Sequence, residues 1–244
     1  MHNRKTAGSS IAAILSKELG ANDLMIGCWN DALNLTDTKL NRRAIKDIFN
    51  RKGFYSGVKL ILTHRMNKNN PILNSHINIL IKKKYDELLC QNSTHATAKV
   101  VKENFPYEWE NYFIFCTVRN PYERAVSDYR WRVKNGEISF INFLERIYIE
   151  STNDAEGYVP IPNTNWPIYT IDDNIEVDYV VRYENFKSDI EFIFKKYNFK
   201  HLYGEIPHAK KFKSYDYKQY YTAEAKKLVE NIYQKEIEAF NYEF

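Results

Sequence analysis

The stretch Tyr112-Phe-Ile-Phe-Cys-Thr-Val118 carries no charged residue, is rich in β-formers, and is followed at once by Arg119-Asn120-Pro121. A short run without polar alternation reads as a strand buried on both faces, which calls for a parallel sheet covered by helices. Asn120 offers a helix N-cap and Pro121 a first helical residue with preset φ, so the spacing predicts a helix carrying Arg124 to Trp131. That strand–helix junction commits the chain to an α/β fold.

The remaining sequence can be read around this junction. Val58–Thr63 and Val177–Arg182 are further strand candidates. Apolar spacing predicts helices over residues 10–19, from about Ser75 to Leu89 (Ile77, Leu80, Ile81, Tyr85, Leu88), and from near Thr94 to before Pro106. Two more are expected over Lys187–Tyr197 and Ala223–Phe240. Residues 150–175, with Asn153, Gly157, Pro160, Pro162 and Pro167, read as a long surface loop. Without a repeat or compositional break, residues 1–244 are expected to form a single domain.

Lys+Arg number 35 against 31 Asp+Glu, a formal net charge of +4. That surplus excludes a bulk polyanion binder, and no nucleic-acid-binding motif is recognisable. With 44% hydrophobic and 15% aromatic residues, the chain can bury a core, which excludes global disorder. Cys28, Cys90 and Cys116 lack metal-ligand spacing and argue against a disulfide scaffold. No apolar run reaches membrane-spanning length, and Met1–Lys5 lead into no secretory apolar segment. The expectation is a soluble protein of a reducing, cytoplasmic compartment.

Two segments carry chemistry. Arg4-Lys5-Thr6-Ala7-Gly8-Ser9-Ser10 lies at a loop-to-helix junction, where first-turn N–H groups and the helix dipole attract anions. Gly8 permits close backbone approach, Ser9 and Ser10 add hydroxyls, and Lys5 adds a cation. The Walker A order is absent, because the lysine precedes the glycine. In the second segment, Arg119 ends the buried strand at the edge where open α/β sheets bind ligands, and Ser127 lies two turns into the next helix. An arginine fork and a hydroxyl so placed make a phosphate clamp. Either segment alone could equally be an ordinary capped helix or a salt-bridged strand end.

Together the segments resemble the nucleotide signatures of the sulfotransferases that use 3′-phosphoadenosine 5′-phosphosulfate (PAPS), in their carbohydrate-type, family 2-like branch. His2, Lys5, Thr6, Ala7, Gly8, Ser9 and Ser10 match its His-x-x-Lys-Thr-Ala-Gly-Thr/Ser-Ser loop; Arg119, Asn120, Pro121, Arg124 and Ser127 match Arg-Asn-Pro-x-x-Arg-x-x-Ser. Ser93–Ala98, Val177–Phe186, Tyr217–Tyr221 and Glu238–Phe244 extend the likeness over almost the whole chain, in order. The resemblance implies a P-loop-like three-layer fold, with a central parallel sheet flanked by helices. It also implies sulfuryl transfer from PAPS to an acceptor hydroxyl, of a saccharide, in line and without a metal. Arg4 to Ser10 would cradle the 5′-phosphosulfate, Lys5 reaching the bridging oxygen, while Arg119 and Ser127 would hold the 3′-phosphate. Lys211 falls in a segment that closes over the nucleotide in the family, although Lys210 replaces an asparagine there. The family has an apolar strand directly before the lysine loop; here the chain opens at Met1-His2, and that first strand is expected to be missing.

The acceptor proton needs a base. Of the six histidines, His2, His64, His76, His95, His201 and His208, the reading favours His95, in a His-Ala-Thr-Ala segment like the family's. His64 and a carboxylate are the alternatives. Trp131 and Trp166 are candidates to line a sugar site. Rival readings are a catalytically degenerate nucleotide binder of the same fold and a related small-molecule kinase. The sequence does not decide the oligomeric state.

Overall fold

The computed structural model describes residues 1–49, 70–134, 136–149, 157–199 and 215–244. In chain order these hold helices α1 (Gly8–Leu15), α2 (Trp29–Leu35), α3 (Arg42–Ile48), α4 (Pro71–Leu89), α5 (Ala98–Asn104) and α6 (Pro106–Asn111). Strand β1 (Phe115–Val118), α7 (Pro121–Arg132), α8 (Phe140–Tyr148), α9 (Trp166–Tyr169), β2 (Thr170–Ile171), β3 (Asn174–Ile175) and β4 (Tyr179–Arg182) follow. Helices α10 (Phe186–Lys196), α11 (Ala223–Ile232) and α12 (Gln234–Phe240) close the chain. The protein is thus mixed α/β and mainly helical. The strand candidate Val58–Thr63 lies outside the described residues.

Contacts divide the chain into two compact units. The first comprises Met1–Thr6, Thr97–Asp189 and Phe212–Phe244. Its small sheet pairs β1 with β4 in parallel, Phe115 opposite Tyr179 and Val118 opposite Arg182. Cys116, Thr117 and Val118 are all buried, as a run without polar alternation requires. Carbonyls alternate along a strand, so those of Phe115 and Thr117 point away from β4. Met1 N donates to the first (2.6 Å) and Asn3 Nδ2 to the second (2.7 Å), so the opening residues run along that edge of β1.

Asn120 caps α7 as expected, its side-chain oxygen accepting from Tyr122 N at 3.0 Å. One face of α7 (Tyr122, Ala125, Val126) packs into a core with Phe143, Leu144 and Ile147 of α8 and Ala225 and Val229 of α11. Each of the larger apolar side chains contributes about 1.5–3 kcal/mol by leaving water. Arg124, on another face of α7, forms an ion pair with Glu236 that is buried on both sides. Glu236 also accepts from the Tyr169 hydroxyl (3.1 Å), and the Arg124 guanidinium lies 4.5 Å from the Tyr233 ring centroid.

Three expectations need correction. The single terminal helix is broken at Tyr233 into α11 and α12, because that residue leaves helical geometry (φ −114°, ψ 22°). The helix expected after Thr94 is a 3-10 turn, Ser93–His95, then α5, and Pro106 opens α6 where a stop was expected. The described part of 150–175 is a surface loop only in places: residues 157–165 are irregular and Ile161 is exposed, whereas Asn165, Ile168, Tyr169 and Thr170 are buried. Pro167 stands in the first turn of α9, where its missing N–H costs nothing. Asp172 and Asp173, both at positive φ, make the turn between β2 and β3.

The second unit comprises Ala7–Ala96 and Ile190–Lys211. Its longest helix, α4, starts earlier than expected, because Asn70 caps it and Pro71 occupies its first position. Leu73, Ile77, Ile81, Tyr85 and Leu89 form its buried stripe, whereas Leu88 is exposed, so the face is narrower than the spacing suggested. The Tyr85 hydroxyl donates to the buried Asp47 of α3 at 2.7 Å. Helices α2 and α3, about two turns each, are too short to show a period in the sequence.

Candidate functional site

The lysine loop is built on β1. The Thr6 and Thr117 hydroxyls meet at 2.6 Å, and Thr6 Oγ1 donates back to Asn3 O at 3.1 Å. Arg4 is pinned through its main chain: its N–H donates to Asn165 Oδ1 (3.1 Å), and Asn165 Nδ2 donates to its carbonyl (3.0 Å). The Arg4 side chain turns inward, where Nη2 donates to Asn163 O at 3.1 Å and Nε and Nη1 are buried without a described hydrogen-bond partner. Burial pulls its pKa down to about 10, with Asp128 opposing the shift.

The loop is backbone-strained. Lys5 and Ala7 both adopt left-handed φ, 60° and 68°, a conformation uncommon for side chains with a Cβ. Ala7 is followed by Gly8 at the start of α1, and that left-handed-to-right-handed step turns successive N–H groups toward one point, a geometry suited to an anion. Because the Ala7 carbonyl accepts from Ser10 N (2.9 Å) and Ile11 N (3.1 Å), the donor of Gly8 has no carbonyl within the helix. The Lys5 ammonium lies 5.5 Å from the centroid of the Trp131 ring, which is 47% exposed.

Arg119 joins the two signature segments. It follows β1, and its Nη1 donates to the Lys5 carbonyl at 3.2 Å. Nη2 meets Glu123 Oε1 at 2.5 Å, the Tyr183 ring covers the guanidinium with its centroid 4.2 Å away, and Nε is buried without a described hydrogen-bond partner. Burial is the largest single influence and acts to lower the Arg119 pKa, but the hydrogen bond and charge of Glu123, together with Tyr183 and Tyr215, outweigh it and leave the pKa raised. Ser127, also buried, sits two turns along α7. Nearby, the Tyr215 hydroxyl is buried and raised in pKa by that burial, with the charge of Arg119 opposing; its ring carries the Arg130 guanidinium at 4.0 Å.

A model of the sulfotransferase family matches residues 4–243, nearly the entire chain. The chain belongs to the sulfotransferase family. No curated protein and no solved structure matches it. The match covers both signature segments of this sulfotransferase, the lysine loop and the Arg119-to-Ser127 helix, and runs on through Tyr183 and α12. Within the first unit the structure brings together Lys5, Thr6, Arg119 and Ser127 with three tyrosine- and carboxylate-bearing positions that sequence reading passed over: Glu123, Tyr183 and Tyr215. Glu123 and Tyr183 had a signal. One lies four residues past Arg119, the helical spacing of an ion pair, and the other directly follows a strand paired with β1. Tyr215 had none.

His95 belongs to the second unit, at the end of the turn Ser93–His95, its N–H donating to Asn92 O at 3.1 Å. That turn is fixed by Asp86, whose Oδ1 accepts from Ser93 N (2.8 Å) and Ser93 Oγ (2.6 Å). It also presses on Gly27, at φ +78°, where an added Cβ would come within 2.0 Å of Thr94 Oγ1. Trp166 lines an open cavity of about 300 Å³ with Thr97, Lys99 and Asp173, and its indole N–H donates to Asp173 at 3.0 Å. Lys211 and His64 lie outside the described residues.

Proposed function

We propose that this sulfotransferase uses PAPS and moves its sulfuryl group to a hydroxyl of a carbohydrate acceptor, on a three-layer, P-loop-like core. The observation that carries the reading is the Arg119 guanidinium. It binds the lysine loop through the Lys5 carbonyl and still holds a buried Nε with no described partner. A buried, unpaired donor is costly, and a 3′-phosphate would satisfy it.

PAPS supplies an activated sulfuryl group whose departure leaves negative charge on the bridging phosphate oxygen. Lys5 meets that charge, and Thr6 to Ser10 bind the 5′-phosphate through loop and first-turn N–H groups and hydroxyls. Arg119 and Ser127 hold the 3′-phosphate, with Lys211 as a further nucleotide contact. His95 takes the proton from the acceptor oxygen as that oxygen bonds to sulfur and the sulfur–bridging-oxygen bond breaks. The products are a sulfate ester and adenosine 3′,5′-bisphosphate. The exposed Trp131 ring beside Lys5, and the Trp166 cavity, are the surfaces on which a sugar ring would stack.

Calorimetry with adenosine 3′,5′-bisphosphate, ADP and ATP tests the donor. Selective binding of the bisphosphate is expected, and preference for ATP would return the chain to the kinase reading. Transfer of labelled sulfate from PAPS to a panel of glycans tests catalysis; selective binding without transfer would identify a degenerate binder.

A further inference from the structure

The carboxylate of Glu123 sits where a nucleotide phosphate would compete with it. It accepts from Arg119 Nη2 at 2.5 Å, while the Lys5 carbonyl takes Nη1 and Tyr183 covers one face of the guanidinium. Among the described residues Glu123 is the side chain paired with this arginine, and it is not locked in place: about a third of it is exposed against 10% of Arg119. Its negative charge also reaches the hydroxyls of Tyr215 and Tyr217, both pushed up mainly by burial, which puts it on the tyrosine-lined side of the arginine.

We infer that Glu123 is a built-in counter-anion: it occupies the Arg119 fork when no nucleotide is bound and yields that fork to the 3′-phosphate. The inference rests on the reading of Arg119 as the 3′-phosphate ligand. A doubly charged phosphate on this guanidinium would stand within several ångströms of the carboxylate. At that separation like charges repel appreciably, even with solvent screening on the exposed side. Glu123 therefore keeps the arginine folded into the site without letting it bind too tightly. It lowers affinity for donor and product alike, since both carry the 3′-phosphate, and so hastens exit of the spent nucleotide. A group that merely orients the arginine would do the opposite, and its loss would weaken binding.

Glu123→Gln separates these roles, because the amide oxygen still accepts from Arg119 while the charge is gone. Calorimetry on the wild type and the variant should be run with adenosine 3′,5′-bisphosphate and with adenosine 5′-phosphate, which lacks the 3′-phosphate. The expected result is a gain of about three- to tenfold in affinity for the bisphosphate and little change for the monophosphate. Unchanged or weaker bisphosphate binding by a folded variant would overturn the counter-anion role. Equal gains for both nucleotides would overturn it too, by pointing to a general charge effect. If the wild type does not distinguish the nucleotides, Arg119 is no 3′-phosphate ligand and the earlier reading fails first. Should the glutamine variant fold poorly by circular dichroism, Glu123→Ala makes the same charge change and is judged by the same nucleotide pair.

Discussion

Replacing Arg119 by alanine removes two different things. One is the hydrogen bond from Nη1 to the Lys5 carbonyl, 3.2 Å long, which supports the strained residue at φ 60° whatever ligand is bound. A neutral acceptor of this kind contributes about 0.5–1.5 kcal/mol, or roughly two- to twelvefold in affinity for any nucleotide that uses the loop. The other is the proposed charge-assisted bond to the 3′-phosphate, worth about 1.5–3 kcal/mol, or roughly ten- to a hundredfold more for nucleotides that carry that group. Arg119→Ala should therefore weaken adenosine 5′-phosphate modestly and adenosine 3′,5′-bisphosphate severely, the ratio of the losses isolating the phosphate. Arg119→Lys should recover only part of the difference, since an ammonium keeps the charge but loses the fork and the planar contact with Tyr183. Titration calorimetry at a fixed ionic strength, with folding checked by circular dichroism, reads both losses. Equal losses for the two nucleotides would refute the assignment and leave Arg119 as a buttress of the lysine loop.

On the role proposed for Lys5, Lys5→Ala should lower kcat for sulfate transfer more than it lowers nucleotide affinity, because the charge it would meet grows only as the bond to sulfur breaks; steady-state kinetics beside calorimetry would show the split. His95→Ala should cost ~10²–10⁴-fold in rate, remove the acid limb of the pH–rate profile and leave nucleotide binding nearly intact. A folded mutant that keeps most of its rate moves the search to His64 or a carboxylate. Asn165→Ala should destabilise the protein by about 2–4 kcal/mol in urea unfolding, since it strands both the N–H and the carbonyl of buried Arg4. Gly27→Ala should cost about 1–3 kcal/mol, and a Thr94→Ala background should recover only part of it, because the contact is relieved and the left-handed φ is not.

How much of this was legible in the sequence depends on where the information is stored. β1 and α7 were readable because their signals are local: an uncharged β-rich run, a capping asparagine and a proline at the first helical position. The loop-to-helix junction after Lys5 was readable for the same reason. The buried identity of Asn165 was not, because its partner is the main chain of Arg4, far off in sequence, and the surrounding prolines imitated a loop. The break at Tyr233 was equally hidden, since the apolar face runs on in register from Ala225 to Phe240. Glu123 carried only its four-residue spacing from Arg119 as a signal, one that any solvated helix ion pair shares.

The first unit is stitched from stretches that are remote along the chain. Met1 reaches Phe115, Arg119 reaches Lys5, and Arg124 reaches Glu236, each across more than a hundred residues. Closing such spans costs conformational entropy before any contact rewards it, and slow folding goes with a high share of distant contacts. On the ribosome the lysine loop must wait, unassembled, until β1 has been made, and Arg124 must wait longer still for α12. On the proposed function, nucleotide-binding competence would therefore be acquired late in synthesis. A ligand that holds the finished loop against Arg119 would also slow the first unit's unfolding, so donor supply and the protein's lifetime would be tied together.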